Sequence, residues 1–363
     1  MKYETLKKIF FQFDPENAHS LAMKGLRFAN NNPWILNVVG RNYLQNDEIL
    51  KQNLWGINFD NPIGLAGGFD KDGVALKALQ SLGFGHIEFG TVTPKSQPGN
   101  EKPRLFRLVK NESIQNAMGF NNAGMEVVKK NVSKFYPLNS VIVANIGKNK
   151  ITPNDEALND YEILVKEFDE VCDMFVVNLS SPNTPNLRDL QESEYIKKFF
   201  ETLKPLTKKP ILLKISPDFA YDQAIEICTA AVESKADGII INNTSIDYSL
   251  SPNIKEHKGG ISGKLITHKS RELLKAISKE LFGKTTLISC GGIDSAEEAY
   301  ERIKYGASLI QIYTSFIFKG PTIAKDINEG LIELLKKDGF SNIKEAIGIE
   351  IKKIRRDKFV TKI

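Results

Sequence analysis

Two carboxamides and three hydroxyls lie close together in residues 178–185, directly after the apolar run 174–177. A short apolar run of this kind is typical of a buried strand, so the polar side chains would lie at its carboxyl end. Ser181, in the middle of the segment, could take part in proton transfer, or it could serve only as a turn or N-cap hydroxyl before Pro182. The concentration of polar groups where a strand ends predicts an active site.

Polar or glycine residues also follow seven other apolar runs. They are Ala66-Gly-Gly-Phe-Asp-Lys71, Gly90-Thr91, Asn145, Lys214, Asn242-Asn-Thr244, Gly291-Gly292 and Tyr313-Thr314. Glycine and asparagine are common in turns, so any single position could be structural. Buried asparagine and lysine side chains, however, are costly to desolvate unless a ligand pairs with them. The set as a whole therefore favours a binding pocket.

The elements that would position these residues are short β-like runs that alternate with helical stretches from Asn61 onward. We predict eight strands, at 62–65, 86–90, 141–146, 174–178, 210–215, 238–242, 286–290 and 308–312. Helical stretches follow them, for example at 123–134 and 222–233. Eight βα units in about 300 residues match an α/β fold of the (β/α)8 TIM-barrel type, whose catalytic residues lie at the carboxyl ends of the strands. A doubly wound open sheet is the alternative.

Residues 1–45 lie outside this alternation and predict an amphipathic helical hairpin ahead of a barrel domain at 46–363. Apolar residues recur at helical spacing in the first 13 residues, and Asp14-Pro15 is typical of the start of a second helix. The hairpin could be a cap packed on the barrel, or its apolar side could contact a membrane or an apolar ligand. The sequence pattern leaves both alternatives open.

Composition excludes several classes of protein. The 363 residues are 41% hydrophobic, which is enough for a sizeable core. The formal net charge of +5 is small, so it argues against a nucleic-acid partner but permits contact with an anionic membrane surface. Three cysteines without paired spacing indicate neither a disulfide framework nor a metal site, and they fit a reducing cytosol. With no long apolar run and no cleavage-site pattern, we expect a protein that is neither secreted nor transmembrane.

Eight segments of the sequence, taken in chain order, resemble the dihydroorotate dehydrogenases, specifically the membrane-associated class 2 enzymes that use quinone. The resemblance rests on Asp14-Pro-Glu-Asn-Ala-His19, Ala66-Gly-Gly-Phe-Asp-Lys-Asp-Gly73, Gly90-Thr-Val-Thr-Pro94, Lys102-Pro-Arg-Leu-Phe-Arg-Leu108, Met118-Gly-Phe-Asn-Asn122, Asn145-Ile-Gly-Lys-Asn-Lys150, residues 178–185 and Gly259-Gly-Ile-Ser-Gly263. Class 1 enzymes carry a cysteine as catalytic base where this chain has Ser181. The serine implies class 2, with Ser181 as the base and Thr184 and Phe120 beside it.

The resemblance implies oxidation of dihydroorotate to orotate in pyrimidine (UMP) biosynthesis, with flavin mononucleotide (FMN) as cofactor. For the cofactor it implies Ala66, Gly67, Gly68, Phe69, Asp70, Thr91, Asn145, Asn178, Lys214, Asn242, Gly263, Gly292, Tyr313 and Thr314. For the substrate it implies Lys71, Asn116, Ala117, Met118, Gly119, Phe120, Asn178, Asn183, Asn243 and Thr244. The charge of Lys214 would favour the anionic reduced flavin. Asn242, Thr314 and Ala117 depart from the residues usual in the family, and we have no physical account of Ala117.

For the quinone site the resemblance implies His19 and Arg107, although each could be a structural residue instead. It further implies peripheral contact of the hairpin with the cytoplasmic face of the inner cell membrane, and no iron–sulfur partner subunit. One alternative is a soluble FMN barrel of the class 1 dihydroorotate or dihydropyrimidine dehydrogenase type that uses another oxidant. A second is a catalytically silent barrel that binds phosphate ligands or scaffolds a membrane complex.

Overall fold

Eight parallel strands form a closed barrel in the structure, a computed structural model that describes residues 3–254 and 258–360. In chain order the barrel strands, numbered one to eight, are Ile63–Leu65, His86–Val92, Val141–Ile146, Met174–Asn178, Ile211–Lys214, Gly238–Ile241, Thr286–Cys290 and Ala307–Ile312. The eighth strand pairs with the first, with Ile310 opposite Ile63. The predicted strands and the (β/α)8 barrel are confirmed, and the open doubly wound sheet is excluded.

Helices connect the strands on the outside of the barrel. They are Leu76–Ser81, Met125–Ser133, Ala157–Phe168, Ser193–Leu203, Tyr221–Glu233, Thr267–Leu281, Ala296–Lys304, Thr314–Lys319 and Ile323–Lys337, with Ile343–Ala346 and Ile349–Val360 after the barrel. Short 3₁₀ turns lie at Glu48–Leu50, Val109–Asn111, Leu187–Leu190, Lys204–Leu206, Tyr248–Leu250 and Lys264–Ile266. The helices predicted at 123–134 and 222–233 are confirmed, with ends shifted by one or two residues.

Two small antiparallel sheets lie at the two ends of the barrel. At the amino end lies the hairpin of Gln52–Leu54 and Ile57–Phe59, where Trp55 Nε1 donates to the carbonyl of Asp237 at 3.1 Å. At the carboxyl end a three-stranded sheet is formed by Leu105–Leu108, Ser113–Asn116 and Gly260–Gly263. This second sheet forms part of the rim of the barrel mouth.

Side chains alternate along each strand, so every second residue points into the barrel. An apolar layer low in the interior includes Phe59, Val143, Val176, Leu212, Ile240, Ile288 and Leu309. Phe59 belongs to the hairpin at the amino end, and the other six residues lie on the third to eighth strands. Two residues after these six stand Asn145, Asn178, Lys214, Asn242, Cys290 and Gln311. Along these six strands the interior therefore changes from apolar to largely polar within one pleat, at the carboxyl end.

Three helices form the N-terminal segment, namely Tyr3–Phe10, Pro15–Asn30 and Pro33–Tyr43. The predicted two-helix hairpin lacked the third helix. The asparagines before Pro33 were interpreted as a helix end, and Pro33 also begins a new helix. The Asp14 cap is confirmed, since its Oδ1 accepts from the backbone N–H of Glu16 at 2.9 Å. Met1 and Lys2 lie outside the described residues.

Buried polar contacts attach the N-terminal segment to the barrel. Arg104 donates to both carboxylate oxygens of Glu16, at 2.7 and 3.2 Å. Asn30 Oδ1 accepts from the backbone N–H of Ala78 at 3.1 Å. The segment therefore packs on the barrel as a cap, and the division into domains at residue 45 stays a prediction.

The same N-terminal segment exposes large apolar side chains, which we call the exposed apolar set. Its members are Leu6, Ile9, Phe13, Leu21, Phe28, Trp34, Val38 and Leu44. Within residues 3–254 and 258–360, no helix combines the length and the hydropathy needed to cross a bilayer.

His86, the first residue of the second strand, is fully buried low in the barrel. Neither imidazole nitrogen has a hydrogen-bond partner among the described residues. Burial lowers the pKa of His86 from 6.5 to about 4, because a charged imidazolium would lose its hydration; Glu88 opposes this shift and Lys214 adds to it. His86 is therefore neutral in the folded protein at neutral pH.

We expect His86 to make the fold sensitive to acid. Between its unfolded pKa of 6.5 and its folded pKa of about 4, the unfolded chain binds a proton that folded His86 does not. The free energy of unfolding should therefore fall as the pH decreases through this window, by about 3 kcal/mol in total. Urea unfolding at about pH 7 and about pH 5 measures the effect. His86→Phe should lose less stability between the two pH values than the wild type, and equal losses would contradict the account.

Candidate active site

A deep pocket opens at the carboxyl end of the barrel, bordered by the three-stranded sheet and the N-terminal helices. It encloses about 1380 Å³, including its open mouth. The predicted site residues that line it are His19, Ala66, Gly67, Gly68, Lys71, Thr91, Asn116, Met118, Gly119, Phe120, Asn178, Ser181, Asn183, Lys214, Asn242, Asn243, Thr244, Gly263, Gly292, Tyr313 and Thr314. Residues chosen from separate strand ends thus meet in one cavity.

A buried carboxylate lies beneath the pocket, where it contacts side chains of the pocket floor. Glu88 is fully buried, and it accepts hydrogen bonds from Gln311 Nε2 at 2.5 Å, from Lys214 Nζ at 3.3 Å and from Asn145 Nδ2. These four side chains come from the second, third, fifth and eighth strands. Because the acceptor and its donors are all removed from water, the contacts fix the positions of the side chains more firmly than surface contacts would.

A chain of hydrogen bonds between carboxamide side chains connects the pocket floor to the pocket surface. Asn145 Oδ1 accepts from Thr91 Oγ1 at 2.6 Å and from Asn178 Nδ2 at 3.3 Å. Asn178 Oδ1 accepts from Asn243 Nδ2 at 3.3 Å, and Asn243 also donates to Ser180 Oγ at 2.9 Å. The neighbours therefore determine which side of each amide donates and which accepts.

Ser181 lies in the loop after the fourth strand, 5% exposed and in the pocket wall. Its Oγ accepts from the backbone N–H of Asn183 at 3.2 Å, so the structural turn contact is present in addition to the predicted catalytic role. Asn183 Nδ2 donates to Asn116 Oδ1 at 3.1 Å, which ties the loop to the sheet over the mouth. The loop that carries Ser181 is thus held by a contact within its own turn and by a contact to the three-stranded sheet.

Arg188 connects the loops that surround the pocket. Its Nε donates to the carbonyl of Ser180 at 3.0 Å, and its Nη2 donates to the carbonyl of Thr244 at 2.9 Å. Its Nη1 pairs with Asp218 Oδ2 at 2.9 Å. One guanidinium therefore joins the loops that follow the fourth, fifth and sixth strands.

Buried oxygen atoms without partners show where a ligand could bind. Asn183 Oδ1 and Asn242 Oδ1, on residues that line the pocket, have no hydrogen-bond partner among the described residues. A buried acceptor left unpaired costs stability, so these positions favour a ligand that supplies N–H or O–H donors. The pocket is therefore suited to a polar heterocycle.

Lys71 brings a positive charge to the pocket wall. Burial lowers the pKa of Lys71, because the ammonium loses its hydration, although Asp72 and Glu16 act in the opposite direction. An anionic ligand beside Lys71 would favour the charged form again. The charge of Lys214, by contrast, already has Glu88 beside it.

One wall of the pocket consists of backbone rather than side chains. Gly263 has φ +95°, and a β-carbon there would lie 2.6 Å from the carbonyl of Glu112 and 2.7 Å from Thr314 Cγ2. Gly292 has φ +73°, and a β-carbon there would overlap Thr267 Oγ1. Both positions therefore require glycine. Glycine-rich backbone of this kind at the mouth of a barrel is suited to bind phosphate through N–H groups.

Some predicted site residues do not line the pocket, namely Phe69, Asp70, Arg107, Ala117 and Asn145. Asp70 accepts from the backbone N–H groups of Val74 and Ala75, at 2.9 and 2.8 Å, and so stabilises a turn. Arg107 donates to the carbonyl of Phe13 at 2.8 Å and so holds the loop after the first helix against the sheet. Their roles toward a ligand stay predictions.

Sequence reasoning missed Glu88, Gln311 and Arg188. Glu88 and Gln311 stand at inward-facing positions of their strands, so the alternation of side chains could have found them. Arg188 lies outside any strand, and only the folded loops show that it contacts two carbonyls at the pocket. No signal in the sequence indicates that role.

A closed parallel barrel whose polar side chains converge at the carboxyl mouth defines an enzyme of the TIM-barrel class. The family model described as dihydroorotate dehydrogenase matches residues 49–335. The dihydroorotate dehydrogenase (quinone) of a Nitratiruptor species is 56% identical over 352 residues, covering 97% of this chain and 100% of the relative. That of Helicobacter acinonychis (strain Sheeba) is 46% identical over 352 residues, with the same coverage of 97% and 100%.

A solved structure is similar as well, the crystal structure of DHODH in complex with ferulenol from Eimeria tenella. It has a TM-score of 0.82 and 34% sequence identity, covering 93% of this chain and 96% of that chain. The chain belongs to the dihydroorotate dehydrogenase family and is an oxidoreductase. The resemblance inferred from the ordered sequence segments is confirmed.

Proposed function

We propose that this protein oxidises (S)-dihydroorotate to orotate, with FMN as cofactor and a membrane quinone as electron acceptor, in UMP biosynthesis. The observation that carries the proposal is the convergence of Ser181, Lys71 and oriented carboxamides on one pocket with unpaired buried acceptors. Relatives named dihydroorotate dehydrogenase (quinone), at 46% to 56% identity, support both the reaction and the acceptor.

The glycine wall and the polar floor fit FMN. The phosphate would be held by backbone groups of Gly263, Gly292, Tyr313 and Thr314. The ring system would be contacted by Ala66, Gly67, Gly68, Thr91, Asn178, Lys214 and Asn242, while Phe69, Asp70 and Asn145 would support these residues from outside the pocket lining. When bound, FMN would accept a hydride from C6 of dihydroorotate and would pass the electrons to the quinone. The unpaired Asn242 Oδ1 supports this assignment, because it would accept a hydrogen bond from a ring N–H.

The remaining lining residues fit dihydroorotate. Lys71 and Asn116 would bind its carboxylate, since a buried ammonium gains from an anionic partner. Met118, Gly119 and Phe120 would line the pocket beside it, with Ala117 directly behind this lining. The ring edge would be bound by Asn178, Asn183, Asn243 and Thr244, because each carboxamide offers a donor and an acceptor side by side.

Ser181 would remove the proton from C5 of the substrate. A serine hydroxyl is a poor base at neutral pH, so its own proton needs an acceptor as the reaction proceeds. The hydroxyl of Thr184, buried and without a partner among the described residues, would relay this proton, accepting it while its own hydroxyl proton passes on to solvent. Phe120 lines the same pocket and would help exclude water from this step.

The N-terminal helices would supply the quinone site and the membrane contact. His19 lines the pocket on their side, and burial lowers its pKa to about 3, so that it presents no charge to an apolar ligand at neutral pH. Arg107 would help to hold these helices over the mouth. The exposed apolar set would rest in the headgroup region of the cytoplasmic face of the cell membrane.

We expect Phe28→Ser combined with Trp34→Ser to weaken binding to phospholipid vesicles by at least about tenfold. The two side chains are 64% and 75% exposed, so their replacement removes apolar area from lipid without disturbing the core. Reduction of a long-chain quinone in vesicles should slow, while bleaching of the flavin by dihydroorotate should not change. Val127→Ser, on a barrel helix, is the matched control. Unchanged vesicle binding of the double variant would contradict the membrane contact.

The choice of acceptor tests the proposed function against its alternatives. Orotate formation should be fast with a quinone and slow with fumarate or NAD. An enzyme of the soluble class 1 type would prefer one of the latter two, and a catalytically silent barrel would form no orotate with any of them.

A further inference from the structure

Glu88 is a buried charged residue that the proposed reaction does not use. Its side chain is 0% exposed, and its partners are Lys214 Nζ at 3.3 Å, Gln311 Nε2 at 2.5 Å and Asn145 Nδ2. An ionised carboxylate at such a depth is costly unless it is paired and hydrogen-bonded, and here both conditions are met. The arrangement is thus a built ion pair rather than an incidental contact.

The two charges of the Lys214–Glu88 pair lie at different depths relative to the pocket. Lys214 lines the pocket, whereas Glu88 lies in the floor beneath it. The positive end of the pair therefore faces the ligand and the negative end lies one layer further away. Because the dielectric constant of the interior is low, a ligand above Lys214 experiences both charges.

Glu88 also limits where Lys214 can go. Lys214 Nζ contacts Glu88 Oε1 and, at 3.4 Å, Gln311 Oε1, and Gln311 itself donates to the other carboxylate oxygen of Glu88. A lysine side chain has four rotatable bonds, and this pair of oxygen atoms selects one position for its ammonium. The position of the positive charge in the pocket lining is thus determined in part by Glu88, which lies outside that lining.

We propose that Glu88 is a positioning residue that holds Lys214 and moderates its electrostatic effect on the bound flavin. The proposal rests on the proposed function, since it requires FMN to lie over Lys214. Lys214 favours the anionic reduced flavin, and Glu88 opposes this by partly cancelling the charge. The reduction potential of the flavin then reflects the pair and not the lysine alone.

The test is the midpoint potential of the flavin in the purified protein, measured by equilibration with redox dyes. Glu88→Gln keeps the shape of the side chain and removes its charge. It should raise the potential by about 30 mV, which is a tenfold change in the ratio of reduced to oxidised flavin for a two-electron couple. Glu88→Asp keeps the charge and should remain close to the wild type. Lys214→Met should lower the potential, and Glu88→Gln added to Lys214→Met should raise it again.

The outcomes separate this proposal from the proposed function. If Lys214→Met lowers the potential but Glu88→Gln has no effect in either background, Glu88 is only structural and the proposal is overturned. If Lys214→Met also leaves the potential unchanged, the flavin does not lie over Lys214, and the assignment of Lys214 to the flavin site in the proposed function fails. If Glu88→Gln does not fold by itself, the potential of Lys214→Met is compared with that of the double variant. The double variant lacks both charges of the pair and so carries no unpaired buried charge. A higher potential in the double variant supports the proposal, and equal potentials overturn it.

Discussion

Replacing Ser181 by alanine is expected to leave FMN bound and to slow reduction of the flavin by dihydroorotate by about 10²- to 10⁴-fold, the usual contribution of a positioned acid or base. The variant loses the group that would remove the C5 proton and keeps the carboxamides that would hold the substrate. Anaerobic stopped-flow measurement of flavin bleaching reports this step directly. Bleaching at nearly the wild-type rate would show that Ser181 is not the base.

The contact from Asn183 to Ser181 Oγ makes a control necessary. Alanine also removes this 3.2 Å hydrogen bond, whose loss costs about 1 kcal/mol of stability. Ser181→Cys keeps a group that can give up a proton and should retain part of the activity. A cysteine variant as slow as the alanine variant would indicate that the turn, and not proton transfer, accounts for the loss.

Replacing Lys214 by methionine is expected to slow flavin reduction by about 10²-fold, because a preorganised charge that favours the reduced cofactor is lost. It should also lower the free energy of unfolding by about 3 kcal/mol, because Glu88 is left buried with no cation beside it. Stopped-flow bleaching and urea unfolding measure the two effects separately. Normal bleaching by a fully flavin-loaded variant would restrict Lys214 to a structural role.

Lys209, two residues before the start of the same strand, offers a matched control. It is a half-buried lysine outside the pocket lining, and its Nζ donates to the carbonyl of Cys172 at 2.6 Å. Lys209→Met should therefore reduce stability without slowing the bleaching of the flavin. Equal slowing by both variants would mean that the rate reports general loss of structure.

The barrel and most of its mouth could be predicted from the sequence because both depend on local patterns. Short apolar runs between helical stretches locate the strands, and the barrel architecture places the carboxyl ends of the strands at the mouth. Asn145, Asn178 and Lys214 were found in this way. Their common position follows from strand geometry, so it needed no knowledge of long-range contacts.

The pairing of Glu88 with Lys214 could not be predicted, because the two residues are 126 positions apart and meet only when the barrel closes. Within the second strand, Glu88 stands between apolar neighbours and has no local partner that would indicate its role. The helix Pro33–Tyr43 was missed for a different reason, since a proline is compatible with both the end of one helix and the start of the next. Long-range pairing and ambiguous capping signals therefore account for the main omissions.

The central claim is that one pocket transfers electrons from dihydroorotate to a quinone. The most direct measurement is a two-step anaerobic experiment on the purified, flavin-containing protein. Dihydroorotate alone should bleach the flavin and release one orotate per flavin, and subsequent addition of a quinone should restore the absorbance far faster than fumarate or NAD. A flavin that dihydroorotate does not bleach, or one that NAD or fumarate reoxidises as fast as the quinone does, would contradict the account.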